Sequence, residues 1–317
     1  MRARILHSAR LVLLISLTAI MVLTLPACSQ PNGSQWTLGN PKLFAPVIKT
    51  EGVLRVGVNS SHAPFAGIYN SKLVGMDVDI AAALADQLGL RLELVDVSGK
   101  DTLSLFYNGD IDILLGFQPE DIALSPYSLV GPYIFNGPAI FGKTSSQLAA
   151  TFDPDLLYGQ KIAAQDQSLS ASQSTDRYGS EYVQTFSSMD EVFGSLVNGS
   201  INYVAADAVI GSYHCVRYDS IACLGFLNEG GGVYIAVAPN NPELTDAMVI
   251  VLRSLRENGV LELIINKWLG PSTAELIINR NAIIGSEGTG GGIDLGDDLP
   301  DPSNANSSGD AGDGQGL

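Results

Sequence analysis

The sequence predicts an α/β protein built as two lobes of similar construction, and three observations carry that prediction. Apolar residues switch repeatedly between period two and helical spacing across residues 51–281. A unit of helix end, Asn-Gly and strand occurs twice, as LFYNGDIDI (Leu105 to Ile113) and as LVNGSINYV (Leu196 to Val204). Ile111 to Leu115 is nearly all apolar, the pattern of a strand buried on both faces of a parallel sheet.

Taken in order, Leu54, Val56 and Val58 alternate with Arg55 and Gly57 and define the first strand. Ile80, Leu84 and Leu88, flanked by Ala81 and Ala85, form a helical stripe, and Leu90, Leu92 and Leu94 alternate again. A short helix from Thr102 to Tyr107 stops at Asn108-Gly109, because these residues accept the left-handed cap. Ligands in open α/β sheets sit beyond the carboxyl ends of the strands, so two such lobes facing each other enclose a cleft.

The ends differ from the body. Arg2, Arg4 and Arg10 precede the apolar run LVLLISLTAIMVLTL, which is short for a membrane span and suits an export signal. The run ends in LPAC, with Cys28 placed as in the lipobox of bacterial lipoproteins. That resemblance implies a signal peptide over 1–27, lipid on Cys28 and a location outside the cytoplasm on the cell membrane. Pro26 is unusual within such a box. Residues 28–50 read as a polar tether. Residues 282–317 are Gly, Asp, Ser and Asn with almost no large apolar residues, a composition expected to stay disordered. Without its first 27 residues the chain carries 14 basic and 33 acidic residues, a net charge of −19, which repels nucleic acid. Cys215 and Cys223 remain as a pair, and outside the cytoplasm they are expected to form one local disulfide.

Five stretches then resemble one family. LRVGVNSSHAPF (Leu54 to Phe65), LVGMDVDIAAALADQLGL (Leu73 to Leu90), NGDIDILLG (Asn108 to Gly116), VGPY (Val130 to Tyr133) and ENGVLELIINKWLG (Glu257 to Gly270) are similar, in order and spacing, to the polar-amino-acid-type solute-binding proteins of ABC importers. The resemblance implies the two-lobed type II fold of periplasmic binding proteins. Lobe 1 would hold 51–137 and 238–281, and lobe 2 would hold 138–237. Crossing strands near Ile134–Gly142 and Val233–Val237 would make the hinge. It also implies a monomer that captures a small polar solute, an amino acid or amine, and presents it to a membrane permease, with no cofactor, metal or catalysis.

The same resemblance places solute contacts at His62, Phe65, Gly116, Gln118 and Glu120 of the first lobe and at Ser168 and Asp207 of the second. Phe65 reads equally as ordinary core, and Asp207 has a second reading, as the N-cap of a helix beginning at Ala208, over which its position in the resemblance favours the ligand role. The family's carboxylate-binding Arg falls at Ala123, and FQPEDIALSPYS contains no Arg or Lys. A guanidinium fork is the usual holder of a carboxylate. Its absence points to a solute without an α-carboxylate there, such as a cationic amine facing Glu120 and Asp207. The other reading lets Arg177, Arg217 or Lys100 supply the charge from elsewhere.

Two further motifs are set aside. GPAIFGKT (Gly137 to Thr144) matches the nucleotide-loop pattern, but its interior is apolar and strand-like. Beyond residue 27 only His62 and His214 remain as histidines, with no GxSxG elbow and no HExxH helix. An accessory or signalling binder, or a dehydratase-like enzyme on the same fold, stand as alternatives to the transport component.

Overall fold

The computed structural model describes residues 43–119, 125–144, 152–228 and 230–270. The alternating stretch becomes β1 (Val53–Val58). A small hairpin of β2 (Gly67–Tyr69) and β3 (Lys72–Val74) leads to helix α1 (Met76–Gln87), whose Ile80, Ala81, Leu84 and Ala85 are buried at helical spacing. Next come β4 (Arg91–Asp96), α2 (Thr102–Asn108) and β5 (Ile113–Phe117). Gly109 caps α2 at φ 68°, as the Asn-Gly pair predicts. β5 begins two residues later than the apolar run. The Asp112 carboxylate first accepts the backbone N–H groups of Lys49 and Arg55, at 3.0 and 2.8 Å.

β6 (Ser128–Asn136) then hands the chain to β7 (Pro138–Lys143) through Gly137. The second set follows as β8 (Ile162–Gln165), α3 (Leu169–Tyr178), β9 (Val183–Phe186), α4 (Met189–Val197), β10 (Tyr203–Asp207), α5 (Ala208–Cys215) and β11 (Ile221–Phe226). β12 (Gly231–Val237), α6 (Pro242–Glu257) and α7 (Val260–Leu269) close the described chain.

Among the described residues, the strands other than the β2–β3 hairpin form two five-stranded sheets, ordered β4-β1-β5-β12-β6 and β11-β7-β10-β8-β9. Read from opposite ends, both have one plan. A first strand lies between two parallel partners, and an antiparallel crossing strand then joins the last one. The two Asn-Gly units occupy equivalent places, before β5 and before β10. The first crossing falls at Gly137, between β6 and β7. The second differs: β12 lies wholly in the first sheet, paired with β5 and β6, so the chain has returned by Gly231. The apolar run 233–237 reads alike for either sheet, and the sequence therefore placed the return too late.

The expected tether also ends early. Ile48 is fully buried, and Asn241 donates to the Val47 carbonyl, so this stretch packs on the first lobe. GPAIFGKT forms β7, with Ile140 paired to Ala205 and Gly225, which leaves no phosphate-binding turn.

The cores follow the sheets. Leu54, Val56, Val58, Ile113 and Leu115 are buried under α1, and Phe141 meets the ring of Phe193 at 5.6 Å in the second lobe. Burying each such side chain contributes about 1.5–3 kcal/mol. Asp77 sits inside the first core, with Tyr133 Oη donating to its Oδ1 at 2.7 Å. Burial pushes its pKa up to about 7, against the lowering effect of that hydrogen bond. Cys215 and Cys223 are both buried and both free, which corrects the expected disulfide. Burial raises both thiol pKa values, that of Cys223 to about 12, so each side chain stays a neutral, weakly polar part of the core.

Candidate functional site

The carboxyl ends of β5, β8 and β10 deliver polar residues to one hollow of about 290 Å³. Gln118 comes from the first lobe, Gly137 and Pro138 from the first crossing, and Gln165, Ser168 and Asp207 from the second lobe. This is where doubly wound sheets place ligands, beyond the strand ends beside a reversal of strand order.

Each polar group is fixed by local structure. Ser168 caps α3: its Oγ accepts the Ala171 N–H at 3.0 Å and donates to the Gln165 carbonyl at 2.7 Å. Asp207 caps α5, with Oδ1 accepting the N–H groups of Val209 and Ile210 at 3.1 Å each. The helix-cap reading of Asp207 is therefore correct, and the residue lines the cavity as well. Asn136 Nδ2 donates to Asp207 Oδ2 at 2.8 Å. Burial raises the Asp207 pKa, while the two helix N–H groups, Asn136 and the more distant His62 pull it down. This carboxylate is thus partly desolvated, and a cation placed beside it would regain much of the lost charge stabilisation.

Other expected contacts sit elsewhere. Phe65 is buried in the first core and does not line the hollow. The Gly116 N–H donates to Tyr133 Oη at 2.9 Å, so it is engaged within the lobe. At φ 74° a side chain there would bring a Cβ to 2.8 Å from Asp77 Oδ2, so glycine is required for packing. His62 is exposed and lies 3.5 Å from the Asn59 amide. Glu120, Ala123 and Cys28 lie outside the described residues.

The three cations that could replace the missing Arg are committed to other partners. Lys100 Nζ donates to the Asp96 carbonyl at 2.7 Å. Arg177 binds Asp155 at 2.8 Å and the Leu227 carbonyl at 3.2 Å. Arg217 meets Asp190 at 3.2 Å and His214 at 2.9 Å. Among the described residues, none that lines the hollow is Arg or Lys. A larger hollow of about 410 Å³ lies between the β2–β3 hairpin, Tyr213 and Trp268. Its lining is apolar and holds no charged group, so it offers a polar solute nothing to replace water.

Sequence reasoning missed Asn136, Gln165 and Met189 of this region. Only Asn136 carried a signal, as the one amide in the apolar run that ends at Gly137-Pro138.

Two sheets of one plan, joined by paired crossings with polar strand ends between them, define a two-lobed solute-binding protein. The chain belongs to the bacterial extracellular solute-binding proteins, family 3, whose model matches residues 54–271. It is 24% identical over 226 residues to ABC transporter arginine-binding protein 1 of Escherichia coli, covering 68% of this chain and 90% of that one. It is 22% identical to arginine-binding extracellular protein ArtP of Bacillus subtilis, covering 81% and 96%. Membrane-bound lytic murein transglycosylase F of Salmonella paratyphi A is 25% identical, with 79% of this chain matching 50% of that protein. In fold, the chain is similar to a polar amino acid ABC uptake transporter substrate binding protein from Streptococcus thermophilus. That match has a TM-score of 0.63 and 19% identity and covers 70% of this chain and 88% of the other. It is likewise similar to substrate binding domain 2 of GlnP from Lactococcus lactis in its open conformation. There the TM-score is 0.58 and the identity 24%, over 70% and 97% of the two chains.

Proposed function

We propose that this protein captures a small solute carrying a cationic nitrogen between its lobes and delivers it to the permease of an ABC importer, tethered outside the cell membrane by lipid on Cys28. The observation that carries the reading is the pairing of a half-buried carboxylate, Asp207, with a described cavity lining free of Arg and Lys. An ammonium beside Asp207 would form a charge-assisted hydrogen bond, whereas an anionic solute would meet a like charge. The relatives named as arginine-binding proteins agree in solute charge. Solute contacts shared by the two lobes would favour the closed state, which is the form a permease could distinguish.

The solute is proposed to leave unchanged. Among the described residues lining the hollow, Ser168 and Ser170 carry hydroxyls, and that of Ser168 is engaged by a carbonyl and a helix N–H. Half of the transglycosylase relative lies outside the match, so its activity is not carried over.

Thermal unfolding of the full chain against putrescine, lysine, arginine, glutamine, glutamate and glucose tests the reading. A bound ligand at 100 times its dissociation constant adds about 2.7 kcal/mol, which raises the midpoint by a few degrees. The expected shift comes with the cationic compounds and disappears in Asp207→Asn. A shift with glutamate or glucose alone would overturn it, and loss of a cationic compound during incubation would overturn the binding-only role.

A further inference from the structure

Asn136 ends β6 at the first crossing, and only 4% of its surface is exposed. Its Nδ2 donates to Asp207 Oδ2 at 2.8 Å and to Gln118 Oε1 at 3.4 Å, and its Oδ1 accepts the Val209 N–H at 3.1 Å. The opposite amide orientation would set NH₂ against the Val209 N–H and oxygen against the carboxylate, so its neighbours determine its direction.

The consequence falls on Asp207. A carboxylate offers about four acceptor directions. Val209 and Ile210 take those of Oδ1, and Asn136 takes one of Oδ2. One direction, on Oδ2, is left over. A guanidinium fork needs two parallel N–H···O bonds, to both oxygens of a carboxylate, whereas an ammonium is a point donor satisfied by a single oxygen.

We propose that Asn136 is a specificity-determining positioning residue, which holds Asp207 with one acceptor direction toward the cavity and so selects a solute presenting an ammonium there over one presenting a guanidinium. This rests on the reading that the cavity takes a cationic nitrogen. It adds the residue that decides how Asp207 is presented to that cation. The surroundings leave the choice to this pair. Gln165 from β8, Ser168 at the cap of α3, Ser170 within it, Met189 from α4 and Ile210 from α5 are all uncharged, and His62 acts on Asp207 from the first lobe without lining the hollow. Through its second hydrogen the same amide holds Gln118, so lobe 1 and the lobe 2 carboxylate are joined by one side chain at the crossing.

The test has two arms on the full chain, comparing wild type, Asn136→Ala and Asn136→Ser. The first follows the Asp207 carboxyl by ¹³C NMR through a pH titration without solute. Losing one donor to a carboxylate raises its titration midpoint by about one pH unit. The Asp207 midpoint is therefore expected to rise by that amount in Asn136→Ala and to recover in part in Asn136→Ser, whose hydroxyl can still donate. The second arm measures binding of n-butylamine and n-butylguanidine. Wild type is expected to prefer the amine by about tenfold, the equivalent of one such hydrogen bond, and Asn136→Ala to lose that preference. An unchanged midpoint with an unchanged preference in folded Asn136→Ala overturns the proposal, as does a wild-type preference for the guanidine. Asn136→Ser decides the matter if the Ala variant does not fold. If neither compound binds wild type, the cationic-solute reading fails and the selectivity with it, while the titration arm still decides whether Asn136 positions Asp207.

Discussion

At the scale of single residues, Asp77 links burial to pH. It lies in the first core with Tyr133 donating to it, and burial lifts its pKa from the ordinary 3.8 to about 7. A carboxyl that holds its proton more tightly when folded favours the folded state at low pH. Its contribution is complete below about 4 and is lost as pH rises toward 7 and the unfolded chain alone ionises. Each tenfold change in proton affinity is worth about 1.4 kcal/mol, so the loss amounts to a few kcal/mol. Asn cannot ionise and keeps an acceptor for the Tyr133 hydroxyl. Asp77→Asn is therefore expected to unfold at a higher temperature than wild type at pH 8 and at a similar temperature at pH 4. Parallel melting curves across this range would show instead that Asp77 stays ionised in the fold.

At the scale of elements, α7 is fastened to α1 through one carboxylate oxygen. Trp268 Nε1 and Lys267 Nζ both donate to Asp79 Oδ2 at 2.6 Å. The lysine is well exposed, so solvent screens its share, and surface pairs of this kind contribute under about 1 kcal/mol. The indole bond is better sheltered. Trp268→Phe keeps a ring for the apolar contacts and is expected to cost about 1 kcal/mol or more, with Lys267→Met costing less; chemical denaturation checks the order, and a reversal would assign the clasp to the ion pair. These contacts explain why the GMDVD and KWLG stretches occur together, a pairing that the sequence displays without its reason. Elements of this chain were legible where periodicity speaks: the Leu54–Val58 alternation, the α1 stripe and both Asn-Gly units stand where they were expected. Legibility failed where the deciding partner is distant in sequence. Asp112 delays β5 through Lys49 and Arg55, and β12 joins the first sheet by pairing with β6. The site suffered most. Asn136 has no period to betray it, and Asp207 looks identical as a cap and as a cavity wall because it is both.

At the scale of the molecule, the two sheets communicate through two chain crossings that approach each other backbone to backbone. Gly137 adopts φ 153°, and a Cβ built there would come within 3.2 Å of the Gly230 Cα. A side chain at 137 is therefore both conformationally strained and wedged against the returning chain, at a cost of about 1–3 kcal/mol. It also adjoins Asn136, whose bonds to Gln118 and Asp207 reach into both lobes. Strain at the crossing is relieved most cheaply by turning one lobe against the other, because each sheet has its own packed core and resists deformation. Gly137→Ala is accordingly expected to lower the unfolding midpoint by several degrees and to change the radius of gyration measured by small-angle X-ray scattering, with the far-ultraviolet circular dichroism unchanged. A drop in stability without any change in scattering would mean that the strain is absorbed locally, and that the crossing does not set the angle between the lobes.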